Sequence, residues 1–159
     1  MRVIRKQPSS LGCFVCGANN RSGLDAAFYE MENGEVYAVF AFKPEHASYP
    51  GRAHGGVISA LLDELIGRAI WVRDDQIWGV TLSLSTTFRK PVPISKKLVA
   101  HGRILSETSR GFVGSGEIVD ENGSVLAEAK ATYLKMPLNR ICASEEEHFI
   151  IPDEVEEID

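Results

Sequence analysis

Residues 49–70 read YPGRAHGGVISALLDELIGRAI, and the fold turns on how this stretch is read. Apolar residues recur at helical spacing behind two glycines. At about 100° per residue, Val57, Ile58, Leu61, Leu62, Leu65, Ile66, Ala69 and Val72 fall in one broad stripe. The spacing predicts one helix over 55–72, with this stripe packed against a sheet. The opposite side carries Gly56, Ser59, Ala60, Asp63 and Gly67. A merely solvated face would more often hold Lys, Glu and Gln. Small residues there predict a close approach by a partner helix, a ligand or both.

Glu64 stands four residues before Arg68, the favourable orientation for a surface ion pair. Asp63 has no base at i±3 or i±4 and sits alone on the small-residue face, which makes it a candidate catalytic carboxylate. At the other end, a helix N-terminus offers free backbone N–H groups and a positive dipole end. Gly55 and Gly56 carry no side chain, so a carbonyl oxygen can approach those N–H groups as in an oxyanion hole. Glycine also permits a tight turn into the helix, and the two readings are compatible. Eight residues separate Gly55 from Asp63, roughly 12 Å at about 1.5 Å per residue. A base and an oxyanion donor acting on one carbonyl must be far closer than that. Two antiparallel copies of the helix about a two-fold axis would bring Asp63 of one to Gly55 of the other. A real site therefore implies at least a dimer with two equivalent sites.

The flanking sequence fits this helix into a sheet. LDAAFYEM and EVYAVFAFK flank the turn ENG and read as a hairpin. After the helix, IWGVTLSLSTTFRKPVP alternates Val80, Leu82 and Leu84 with Thr81, Ser83 and Ser85. KKLVAHGRILSETS, GFVGSGEIVD and VLAEAKATYLKM continue as strands. One long helix with a mostly antiparallel sheet defines an α+β domain. A single domain is expected over 1–136, with 1–22 an irregular N-terminal segment. Residues 137–159 are expected to form an acidic tail, disordered or docked by Phe149 and Ile151.

The chain has 159 residues, a length that suits one domain. A net charge of −5 argues against general nucleic-acid binding, though not against a local basic patch. Without an apolar run of membrane length or a signal-peptide pattern, no membrane insertion is expected. Three cysteines point to a reducing, cytoplasmic setting. Cys13 and Cys16 form a CxxC in CFVCG, but zinc would want a second pair, and only Cys142 and His148 remain, at no familiar spacing. No metal and no cofactor are expected. The two thiols are read as part of a turn.

HGGVISALLDE resembles the signature of hotdog-fold acyl-CoA thioesterases of the PaaI-like branch, in which His-Gly-Gly opens the central helix and an acidic residue follows nine positions after the His. CFVCGANNRSGL and the YPG before the motif resemble one subgroup of that branch. The resemblance runs from about Leu11 to Met136. It implies a hotdog fold, one long central helix wrapped by a curved, mostly antiparallel sheet. It further implies hydrolysis of an acyl-CoA thioester, with Asp63 as general base or nucleophile and Gly55 N–H as oxyanion donor. By the same resemblance Thr81 helps hold the water, and His54 orders the loop. Related enzymes often have Asn or Gln six residues before the His, where this chain has Ser48; His46 is the candidate replacement donor. Arg89, Lys90 and Arg110 are candidates for the phosphates of coenzyme A. The expected assembly is a homodimer or a dimer of dimers.

Two other readings compete. A hotdog-fold enoyl-CoA hydratase or dehydratase would pair a catalytic His with the carboxylate, and no His lies near Asp63 in sequence. A non-catalytic acyl-CoA-binding regulator would usually carry a DNA-binding segment, and 22 residues ahead of the first expected strand are too few for a helix-turn-helix.

Overall fold

A seven-stranded antiparallel sheet curls around one helix. The computed structural model describes residues 1–142 and the backbone strand at 149–150. In chain order the elements are β1 Val3–Lys6, β2 Ser9–Ser10, β3 Ala27–Met31, β4 Val36–Phe40, α1 Gly55–Arg68, β5 Ile77–Phe88, β6 Leu98–Glu107, β7 Gly111–Val119, β8 Val125–Pro137, the short α2 Leu138–Ile141 and β9 Phe149–Ile150. Across the main sheet the order is β1-β3-β4-β6-β7-β8-β5. This is the α+β architecture expected, an antiparallel sheet wrapped on a central helix.

The helix begins where the sequence placed it. It ends at Arg68, and the last predicted turn, Ala69–Val72, continues as a 3₁₀ turn. Ile58, Leu61, Leu62, Leu65 and Ile66 are all at most 3% exposed, each contributing roughly 1.5–3 kcal/mol by burial. Glycines on β6 and β7 make room for them. A Cβ at Gly114 would meet Ile66 Cγ2 at 2.5 Å, and one at Gly116 would meet Ile66 Cγ1 at 3.1 Å. The helix therefore lies almost on the sheet backbone.

Four expectations change. The segment 1–22 is not wholly irregular: β1 pairs with β3, and Val3 is 2% exposed. Four residues are too short to show a period. Secondly, Arg68 is not on the surface but 5% exposed beneath the N-terminal segment. Thirdly, the small-residue side of α1 meets its own sheet. A Cβ at Gly67 would touch Tyr133 at 3.2 Å, and Ser59 donates to Thr86 at 3.1 Å.

The fourth concerns β5. Its register against β8 shifts between Thr81 and Ser83, a β-bulge at Leu82. Before the bulge the residues facing the helix side are odd: Gly79 lies against Phe112 and Tyr133, and Thr81 bonds Asp63. After it they are even: Leu84 packs on the core, Thr86 meets Ser59, and Phe88 lies over Gly55. Val80 and Leu82 face outward, 41% and 63% exposed. A strict alternation read from sequence cannot anticipate that switch.

Of the expected acidic tail, residues 143–148 and 151–159 lie outside the described residues, and so does Ile151. Residues 149–150 pair with β2.

Candidate active site

Asp63 lies in the middle of α1, facing β5 and β8. Thr81 Oγ1 donates to Asp63 Oδ1 at 2.9 Å and lies 3.1 Å from Oδ2. The Tyr133 hydroxyl lies 2.9 Å from Oδ1 and 2.8 Å from the Asp63 carbonyl oxygen. Two hydroxyls from two strands thus fix the carboxylate. Burial raises the Tyr133 pKa, and the charge and hydrogen bond of Asp63 raise it further, so the hydroxyl remains a donor across the neutral range. These residues line a cavity of about 190 Å³ together with Cys13, Trp71 and Trp78.

The N-terminus of α1 shows why two glycines and a histidine stand together. His54 is the N-cap, and its Nδ1 accepts from Gly56 N–H at 2.9 Å. Its carbonyl accepts from Val57 and Ile58. The second, third and fourth N–H groups of the helix are therefore taken, and among the described residues none accepts from Gly55 N–H. Of the two candidate oxyanion donors, only Gly55 is open. A Cβ there would meet the Phe88 ring at 3.2 Å, so the position is short of room as well. Gly55 lines a second cavity, about 400 Å³, with Ser48, Phe88, Arg89 and Lys90.

The structure thus separates the predicted residues into two groups. Asp63 and Thr81 are in one cavity; Gly55, Ser48, Arg89 and Lys90 are in the other. Arg89 also pairs with Glu128 at 2.5 Å. Arg110 belongs to neither group, lying at the β6–β7 turn beside Leu82 and Leu134. His46 is 3% exposed: its Nδ1 accepts from Lys43 N–H at 3.0 Å, which leaves Nε2–H to donate to the Ser22 carbonyl at 2.6 Å. Both nitrogens are spent on holding the loop, which fits a structural role.

Sequence reading missed Tyr133, Phe88 and the surroundings of Arg68. A tyrosine at the end of the inward row Ala127, Ala129, Ala131 was the only signal for Tyr133. Nothing in spacing links it to a carboxylate 70 residues earlier. Arg68 donates to Glu64 at 2.7 Å, to the Pro8 carbonyl at 2.9 Å and to Cys16 Sγ at 3.0 Å, and it stacks on Phe28 and Trp71. The Cys16 thiol donates to Cys13 and holds that thiol down to about 6, whereas the same bond and burial push Cys16 up.

With that geometry in view, the sequence model of the thioesterase superfamily matches residues 50–127, the segment that holds α1 and β5. A protein of unassigned function from Candida albicans, mitochondrial by name, is 26% identical over 114 residues, 68% of this chain and 51% of its own. A candidate esterase of Saccharolobus solfataricus is 27% identical over 106 residues, 67% of this chain and 75% of its own. The crystal structure of the thioesterase superfamily protein RHA08564 superposes with a TM-score of 0.72 at 26% identity, over 78% of this chain and 60% of that one. A hypothetical thioesterase of Streptococcus pneumoniae, solved with coenzyme A, gives 0.63 at 22% identity, over 70% and 86%. Over residues 50–127 this chain matches the thioesterase superfamily, and it has the hotdog fold of these structures. It spans about half the length of the Candida relative. Among the described residues, no helix is long and apolar enough to cross a membrane.

Proposed function

We propose that this chain hydrolyses acyl-CoA thioesters, with Asp63 activating water and Gly55 N–H of a second subunit polarising the thioester carbonyl. The observation that carries this reading is a carboxylate fixed by two hydroxyls on a helix whose first N–H is unclaimed. Both hydroxyls bear on Oδ1 and hold the carboxylate's direction, leaving Oδ2 the freer oxygen to take a proton from water, as a general base does. A thioester is already an activated acyl group, so a base, a water and one backbone donor suffice for the step. Solved relatives support the ligand class: the streptococcal protein was crystallised with coenzyme A, and also with an aspartate and with a threonine replaced by alanine.

The edge of the sheet supports the shared site. β5 is 12 residues long and, among the described residues, pairs with β8 on one side only. An open edge of that length is a template for a second copy. Antiparallel pairing of two β5 strands brings the Thr81 end of one beside the Phe88 end of the other, joining the two cavities across the two-fold axis. It also carries Arg110 of one subunit toward Arg89 and Lys90 of its mate, so all three basic residues serve one coenzyme A. The shared site makes the assembly a dimer or a dimer of dimers, and three free cysteines suit a reducing, cytoplasmic location.

Thiol release from a panel of acyl-CoAs tests it. Turnover of at least one member supports the reading; binding of coenzyme A with no release from any member sinks it in favour of a binding module. Within one subunit the hydratase alternative lacks its histidine, since among the described residues none of His46, His54 and His101 lines the Asp63 cavity, and the His54 that accompanies Gly55 of the second subunit has its Nδ1 taken by Gly56 N–H. Tyr133→Phe keeps the ring and removes one charge-assisted hydrogen bond of about 1.5–3 kcal/mol. The carboxylate then loses one of its two orienting donors and part of the about 10²–10⁴ that a positioned base supplies, so kcat should fall roughly tenfold, with KM little changed. Steady-state kinetics on the variant checks this.

A further inference from the structure

We propose that Cys13, Cys16 and Glu64 bind one zinc-class divalent ion, whose fourth position opens on the Asp63 cavity. The CxxC lacked a second pair in the sequence, and the fold supplies a third ligand instead from α1. One ligand atom from each of the three residues lies within 4.8 Å of the others. Ligands about 2.0–2.3 Å from a tetrahedral zinc stand roughly 3.3–3.8 Å apart, so a small closure surrounds an ion.

The hydrogen bonds around the sulfurs are the second observation. Cys13 Sγ accepts from Val15 N–H at 3.3 Å and Cys16 N–H at 3.4 Å. Cys16 Sγ accepts from Ser10 N–H at 3.4 Å and Arg68 Nη2 at 3.0 Å. A neutral thiol is a weak acceptor, and four N–H donors on two sulfurs suit metal-bound thiolates with an oriented outer shell. Charge points the same way. Two thiolates and Glu64 against the Arg68 guanidinium leave −2, which one divalent ion cancels. Arg68 engages one oxygen of Glu64 through Nε, leaving the other for the ion. Cys16 is 1% exposed and Arg68 5%, so the donors on that side are fixed. Cys13 and Glu64 line the cavity, so the fourth position faces it and takes water. Soft sulfur ligands favour zinc over magnesium or calcium. Such an ion clamps the N-terminal segment to α1 one residue from Asp63. This site does not depend on thioester hydrolysis.

The test uses the full chain, expressed in zinc-replete medium without an affinity tag and purified under reducing conditions without chelator. Zinc per chain is measured by elemental analysis. Cobalt(II) is then added to the apo chain and its absorption recorded. The expected result is about one zinc per chain, a thiolate-to-cobalt charge-transfer band with tetrahedral d–d intensity, and loss of both in the Cys13→Ser, Cys16→Ser double variant. Glu64→Gln should weaken binding by at least the ~10-fold typical of even an outer-shell loss. Less than about a tenth of an equivalent of zinc with no charge-transfer band overturns the proposal. So does zinc retained in the double variant, or recovery of Cys13 and Cys16 as a disulfide without metal. Should the double variant fail to fold, the cobalt spectrum of the unaltered chain decides alone, because thiolate ligands produce the band.

Discussion

Asp63→Asn lowers turnover of an acyl-CoA by about 10²–10⁴ while leaving the fold and the assembly intact. That range is the usual contribution of a positioned general base. Asparagine keeps the shape and still accepts from Thr81 and Tyr133 through its carbonyl oxygen, so the loss is chemical and not structural. kcat should carry the loss, because the carboxylate acts on water and not on the bound coenzyme A. The matching control is Asp120→Asn, a carboxylate that accepts only from N–H groups of its own turn and lines neither cavity. If Asp63→Asn turns over as well as Asp120→Asn, the wrong carboxylate has been assigned. Label left in Asp63 after single turnover in ¹⁸O-labelled water reveals an acyl-carboxylate intermediate opened at the aspartyl carbon, and trapping of the anhydride with hydroxylamine reveals one opened at the acyl carbon; a base gives neither.

What the sequence disclosed follows from how local each signal was. The start of α1, its buried face and the Gly-Gly opening are written in neighbouring residues, and the structure places them as read. The loss of Gly56 as a donor was less visible, because it depends on the His54 ring turning back to cap its N–H. β5 was legible as a strand but not in its facing. The bulge at Leu82 exchanges odd for even positions, which puts Thr81 against Asp63 and Phe88 over Gly55 on one strand. Tyr133 and the Cys13–Cys16–Glu64 cluster depend on contacts between distant segments, which no local period records. Arg68 looked like a surface partner of Glu64 because the i,i+4 rule fixes the pair but not its depth.

Mixed dimers of two inactive chains recover activity, one chain lacking the carboxylate of Asp63 and the other the N–H of Gly55. Gly55 is the first residue of α1, the position where proline is best tolerated. His54 has φ −69° and ψ 136°, the extended conformation that a following proline requires. Gly55→Pro therefore removes the one open N–H and leaves the helix start in place. A Cβ at this position meets only the end of the Phe88 ring, at 3.2 Å, and that side chain is 52% exposed and can shift. Losing one oxyanion donor costs about 10²–10³ in kcat. Each homodimer, Asp63→Asn or Gly55→Pro, then has two crippled sites. In a heterodimer one site collects both lesions and the other neither, since it draws Asp63 from the proline chain and Gly55 from the asparagine chain. Equal co-expression gives about half heterodimers by isologous pairing, so about a quarter of all sites are intact. Activity should rise to roughly a quarter of the unaltered protein, far above both parents. Distinct tags on the two chains establish that heterodimers form. Heterodimers that form and stay as inactive as their parents would show that Asp63 and Gly55 do not meet across subunits, because about 12 Å of helix forbids their meeting within one.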